Sequence, residues 1–208
     1  MKSTVLEEIL STQLNVAVIG DSWVFRATNK SQALIRNLTL ILGLTAFTAL
    51  CAQVSIPLPF TPVPLTLQTF AVLAGAAALG AERAVLAQSL YVGLAWLGLP
   101  ILAEHKGGSE VVTGVTGGYL VGFIVASYIV GRRAARGDSK NTLDTVAAFI
   151  AGSAAIYLLG VSWLAYSTGM SPKEAIAAGM TPFLIGDVVK ALLAGAILPS
   201  LWNLTKSE

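Results

Sequence analysis

Histidine and cysteine occur once each in this 208-residue chain, as His105 and Cys51. One thiol cannot close an internal disulfide, and neither a multi-cysteine nor a two-histidine metal site can be assembled from that inventory. Cys51 lies in an apolar run and reads as a small packing residue, and His105 reads as a surface residue. Charge is scarce too. Asp, Glu, Lys and Arg make up 12% of the chain, against about a quarter in soluble domains. The net charge of +2 is too small to hold nucleic acid. No GxxxxGK[ST] occurs, so the chain has no loop for cradling nucleotide phosphates and should not itself hydrolyse ATP. No HExxH, GxSxG or paired-carboxylate set appears either, so an enzyme is the least supported class and no cofactor is expected in this chain. Energy for any transport must come from a partner or a gradient.

What fills the space is apolar. Hydrophobic residues make up 55% of the chain and the mean hydropathy is +0.74. Together with the charge deficit this predicts an all-α integral membrane protein, and the length suits six transmembrane helices at roughly 20 residues each. The runs fall at 33–52, 67–80, 83–98, 118–131, 145–168 and 182–204. The second and third are short and are broken by Gly80, Glu82 and Arg83, which reads as a tight hairpin whose members are buried in protein or little tilted. Prolines at 57, 59, 62 and 64 forbid a regular helix between the first two runs and predict an ordered, extended Pro-rich loop. Ser171, Pro172 and Glu174 carry the signature of a capped helix start. Pro199 interrupts the sixth run. Residues 1–30 have acidic residues where the positive start of a signal peptide would be, and no sustained apolar core. They read as a cytoplasmic tail, with an amphipathic surface helix as one form of it, ahead of a membrane domain over 31–205.

Lys and Arg concentrate in cytoplasmic loops. With the N-terminus inside, Arg26, Lys30, Arg36, Arg83, Arg132, Arg133, Arg136, Lys140 and Lys206 all fall on the cytoplasmic side, and only Lys106 and Lys173 fall outside. Both termini are therefore expected in the cytoplasm. The Pro-rich loop, the AEHKGG loop and the start of the sixth span then face outward.

Two charges sit inside that last span. Asp187 and Lys190 are three residues apart, on one face of its first two turns. A charge at mid-bilayer costs about 2.5–3.5 kcal/mol on insertion scales, so such residues face the bundle interior or a wet cavity. They either form an intrahelical pair that only neutralises itself, or await a polar ligand entering from outside. An aspartate that titrates in a small ion-coupled carrier is a third reading.

Three separated strings, IPLPFTPVPLTLQTFAVLAGAAALG, then GLPILA leading to GVTGGYLVGF, then PFLIGDVVKALLA, follow one another in a stretch from about Gln53 to Leu193. In sequence and order they resemble the BioY family, the biotin-binding S components of energy-coupling factor transporters. The resemblance implies a multi-pass protein of the bacterial cytoplasmic membrane that captures biotin from outside. It also implies partners: a transmembrane coupling subunit and two ATPase subunits that use the ATP. An S component for another vitamin is the neighbouring alternative.

Carried onto these positions, the resemblance makes Asp187 and Lys190 partners of the ureido end of biotin, whose ring offers two N–H donors and one carbonyl. Tyr119 and Gln68 are further ligand candidates, or polar residues satisfied at span ends. Gly117 and Gly118 let backbone approach the ligand or another helix. Where the family runs into glycines after GLPILA, this chain has Glu104, His105 and Lys106. Lys106 is open to two readings, a partner for the valerate carboxylate or a solvated loop charge. Members often carry an Ala-xxx-Ala stripe on the first span for docking the coupling subunit. The nearest equivalents here are Thr45/Ala49 and Thr48/Ala52.

Overall fold

A computed structural model describes residues 18–23 and 29–205. The readings that rest on residues 1–17 and 24–28 as a surface tail, and on Arg26 and Lys206, lie outside the described residues. Helices dominate. Among the described residues three α-helices are short: α1 (Gly20–Trp23), α5 (Ser109–Val112) and α8 (Pro172–Gly179). Six are longer: α2 (Lys30–Gln53), α3 (Gln68–Leu79), α4 (Ala81–Trp96), α6 (Gly117–Ala135), α7 (Thr142–Thr168) and α9 (Leu184–Thr205). Among the described residues, three stretches are long and apolar enough to cross a membrane: Lys30–Gln53, Thr142–Thr168 and Pro172–Asn203.

The bundle is organised around α6. It lies between α7 on one side and α3 and α4 on the other, while α2 packs on α3 and α4 and α9 packs on α7 and α3. Glycines permit this closeness. A Cβ on Gly118 would stand 2.4 Å from the Leu159 carbonyl oxygen, and one on Gly122 would stand 2.9 Å from the Ile156 Cα. The two glycines are four residues apart and present one smooth face to α7, the small-xxx-small arrangement that brings helices within backbone contact.

The outer faces run the other way. Leu143, Ile150, Leu158 and Tyr166 of α7 are all exposed, at steps of seven or eight residues. A stripe of that period is one helix face turned outward. Apolar exposure on this scale suits a bilayer as solvent better than water.

Helix α3 departs from its neighbours. Nine of its twelve residues are buried, and at 1.5 Å per residue it spans only about 18 Å. The Pro-rich segment fills the space before it. Residues on either side of the prolines pair as a two-residue antiparallel ladder, Ser55–Ile56 with Leu65–Thr66. This is a local departure from an all-α chain, and the cause is chemical: prolines cannot continue a helix, so the flanking backbone finds its partners across a strand pair. Pro199 produces no break. Helix α9 continues through it to Thr205, as membrane-type bundles allow when neighbours satisfy the freed carbonyl.

The small pairs Thr45/Ala49 and Thr48/Ala52 do not offer a docking face. Thr45, Thr48 and Ala52 are buried. The Thr45 hydroxyl donates to the Ala87 carbonyl of α4 at 3.0 Å, and Gln88 Nε2 donates to Thr48 Oγ1 at 3.0 Å. Their small size is used internally, to bring α2 against α4.

One end of the bundle is basic. Arg83, just after the α3–α4 turn, pairs with Asp21 at 2.8 Å and donates to Asn37 Oδ1 at 3.0 Å. Val18 and Ile19, ahead of α1, are buried in the core. Arg133 at the end of α6 pairs with Asp138 at 2.8 Å, and Lys140 stacks over the Trp202 ring of α9. The starts of α3, α6 and α9 converge at the opposite end.

Candidate functional site

A cavity of about 350 Å³ lies among those three helix starts, bounded further by the Pro-rich segment, the α4–α6 loop and the middle of α7. Helix α3 begins at its wall, where its first two residues, Gln68 and Thr69, line it. The lining is mostly apolar, with Phe123, Ile156 and Phe183 among the walls. Asp187, Lys190, Tyr119, Gln68 and Lys106 all border it. Gly117 and Gly118 do not. They are taken up by α7, where a Cβ on either would strike Trp163.

The charged pair does clasp itself. Lys190 Nζ donates to Asp187 Oδ1 at 3.1 Å, and both side chains are nearly buried, at 10% and 13% exposure. Two residues not foreseen from sequence complete the cluster. Lys190 also donates to Thr69 Oγ1 at 2.7 Å, and the Tyr157 hydroxyl donates to Asp187 Oδ2.

Capacity remains after these contacts. An ammonium has three protons and an ionised carboxylate about four lone-pair sites. Lys190 spends two protons on protein, and Asp187 receives one close donor on each oxygen. The Thr69 hydroxyl donates to Asp187 Oδ1 at 3.5 Å, a long contact beside the roughly 2.5–3.0 Å of a strong O–H···O bond. One ammonium proton and about two carboxylate lone pairs, one of them only loosely engaged by Thr69, thus remain unspent. The cluster neutralises itself and still keeps hydrogen-bonding capacity beside the cavity.

Tyr119 and Gln68 hold the scaffold. The Tyr119 hydroxyl donates to the Gly179 carbonyl at 2.8 Å, tying α6 to α8. Gln68 accepts from Thr66 at 3.1 Å and donates to Tyr91 at 2.7 Å, and Tyr91 in turn donates to the Ile101 carbonyl at 3.0 Å. That chain ties the Pro-rich segment, α3, α4 and the next loop around the cavity. The Tyr119 hydroxyl is thus spent on protein, while the residue borders the cavity.

The α4–α6 loop is pinned as well. Gln53 at the end of α2 donates to the Leu102 carbonyl at 3.1 Å and accepts from the His105 N–H at 3.2 Å. Trp163 donates to the Gly114 carbonyl at 2.8 Å. Glu104 and His105 sit at φ 59° and 56°, a left-handed turn that costs non-glycine residues roughly 1–2 kcal/mol each. The turn sets Lys106 Nζ 2.6 Å from Glu104 Oε2. Asp187 and Tyr157 also border a second, apolar groove of about 920 Å³ along α7, α8 and α9.

The model of the BioY family matches residues 25–207. A protein of Thermotoga maritima named biotin transporter BioY is 40% identical over 153 residues, covering 74% of this chain and 88% of the relative. One of Pyrococcus horikoshii, named probable biotin transporter BioY, is 34% identical over 80% of this chain and 96% of its own length. One of Rhodobacter capsulatus, also named biotin transporter BioY, is 36% identical over 78% and 90%. Among solved structures, the S-component for biotin from an ECF-type ABC transporter superposes with a TM-score of 0.76, at 24% identity, covering 85% of this chain and 95% of that one. That likeness is one of fold.

Proposed function

The chain belongs to the BioY family, and we propose that it captures biotin in the cavity beside Asp187 and Lys190, as the substrate-binding subunit of an energy-coupling factor importer. The observation that carries this reading is a nearly buried ion pair that keeps unused hydrogen-bonding capacity at the wall of a mostly apolar cavity. The ureido ring of biotin presents two N–H donors, which match the free lone pairs of Asp187. Its carbonyl accepts, which matches the remaining proton of Lys190 and the Thr69 hydroxyl. Charge-assisted hydrogen bonds of this kind contribute about 1.5–3 kcal/mol each. The thiophane ring and acyl chain bury apolar area against Phe123, Ile156 and Phe183, at about 25 cal/mol per Å².

The wider arrangement follows the same reading. Six spans cross the cytoplasmic membrane, the Pro-rich loop and the cavity face outward, and the basic end and both termini face the cytoplasm, in line with the distribution of Lys and Arg. Biotin enters from outside. Its passage inward requires work that a chain without a phosphate-binding loop cannot supply, which calls for a transmembrane coupling subunit and two ATPases. The Thr45/Ala49 and Thr48/Ala52 faces are occupied by α4, so the coupling subunit must dock elsewhere.

Calorimetric titration of the purified full chain tests this reading. Biotin should bind at one site and resist displacement by thiamin or riboflavin. No binding of biotin, or displacement by either other vitamin, would remove it.

A further inference from the structure

The mouth of the cavity carries a second ion pair. Glu104 and Lys106 both line the cavity, and their side chains are 2.6 Å apart, on a loop fixed by Gln53. This pair differs from the inner one. Lys106 is 58% and Glu104 35% exposed, so water screens them and the pair itself is weakly held. No hydrogen bond or ion pair joins it to Asp187 or Lys190 among the described residues. It is a separate polar feature of the same cavity.

A guest with an anionic tail meets both charges at once. The ammonium of Lys106 attracts a carboxylate, but it already holds Glu104, and the Glu104 carboxylate repels any anion that approaches the same nitrogen. Glu104 is held close by its own backbone: the left-handed turn at Glu104 and His105 places the two side chains together, whereas residues two apart in a helix point to different faces. The carboxylate competitor is therefore built into the loop.

We propose that Glu104 is a specificity-determining residue: by competing for Lys106 it reduces the cavity's preference for carboxylate-tailed over neutral-tailed forms of the ligand. The inference rests on the biotin reading above and names the group that tunes recognition of the tail. Its consequence is that this chain accepts biotin conjugated or amidated at the tail better than a cavity with Lys106 alone would.

The test measures equilibrium affinities of the full-length protein in lipid nanodiscs for biotin and for biotinamide, whose tail is neutral. The readout is the ratio of the two affinities, which cancels any general effect of a substitution on folding. Glu104→Gln should raise the ratio in favour of biotin by roughly fivefold, the equivalent of a weak exposed pair. Lys106→Gln should lower it by a similar factor. An unchanged ratio in Glu104→Gln, or a shift toward biotinamide, would overturn the proposal while leaving biotin binding intact. Failure of the unmodified protein to bind either ligand would overturn both this proposal and the biotin reading.

Discussion

Replacing Asp187 and Lys190 singly and together separates what the pair does for the fold from what it does for a ligand. At 3.1 Å and an effective dielectric constant of 20, the Coulomb attraction is about 5 kcal/mol, and the cost of desolvating both ions offsets much of it. Removing one partner strands the other among apolar walls. Lys190→Met leaves the Asp187 charge facing Tyr157 and Thr69 without a cation, and should cost about 3 kcal/mol of stability. Asp187→Asn keeps an acceptor for Lys190 but loses the charge, and should cost about 2 kcal/mol. The double variant leaves no stranded charge and should regain about 1–3 kcal/mol relative to the sum. Biotin binding should behave differently. Loss of charge-assisted acceptance from a ureido N–H weakens affinity about 10- to 100-fold, and the double variant cannot recover it. Stability would be followed by denaturant titration in detergent with tryptophan fluorescence, and affinity by calorimetry on the same samples. A double variant that binds biotin like the unmodified protein would refute the reasoning, because the pair would then be purely structural.

Other consequences can be checked separately. Tyr157→Phe removes the hydroxyl that donates to Asp187 Oδ2 while keeping the ring, and should weaken biotin binding about tenfold and cost about 1.5–3 kcal/mol of stability; equal affinity would mean the hydroxyl does not orient the carboxylate. Gly122→Val places a branched side chain against the Ile156 backbone and should lower stability by at least about 2–3 kcal/mol through separation of α6 from α7; a thermal scan showing no loss would contradict the close packing. Glu174 closes a capping box with Ser171; Ser171→Ala should cost about 1 kcal/mol of stability, and an unchanged unfolding midpoint would contradict the cap.

Much of the architecture was readable because membrane helices announce themselves through long apolar runs. The run at 145–168 lies within Thr142–Thr168, and the cap at Ser171 formed with both of its hydrogen bonds. Asp187 and Lys190 stood out because charges in an oily span are costly. Tyr157 did not, since a tyrosine in an apolar run carries no formal charge and its direction depends on helix phase. A usable signal was nevertheless present. Membrane tyrosines gather at span ends, as Tyr166 does, whereas Tyr157 is sixteenth of twenty-seven residues in its helix. Thr69 was hidden in another way, because it meets Lys190 across 121 residues of chain. The role of Gly118 was half legible: small residues signal close approach, but only the packing shows that α7 rather than a ligand comes near. The Glu104–Lys106 contact depends on two left-handed residues that no composition rule anticipates.

A structure of the chain loaded with biotin addresses most directly whether the inner pair serves a guest. The bicyclic ring should occupy the cavity with a ureido N–H within hydrogen-bonding distance of Asp187 and its carbonyl near Lys190 or Thr69. Biotin bound instead in the apolar groove along α7, α8 and α9, or in the cavity with no contact to Asp187, would contradict that assignment.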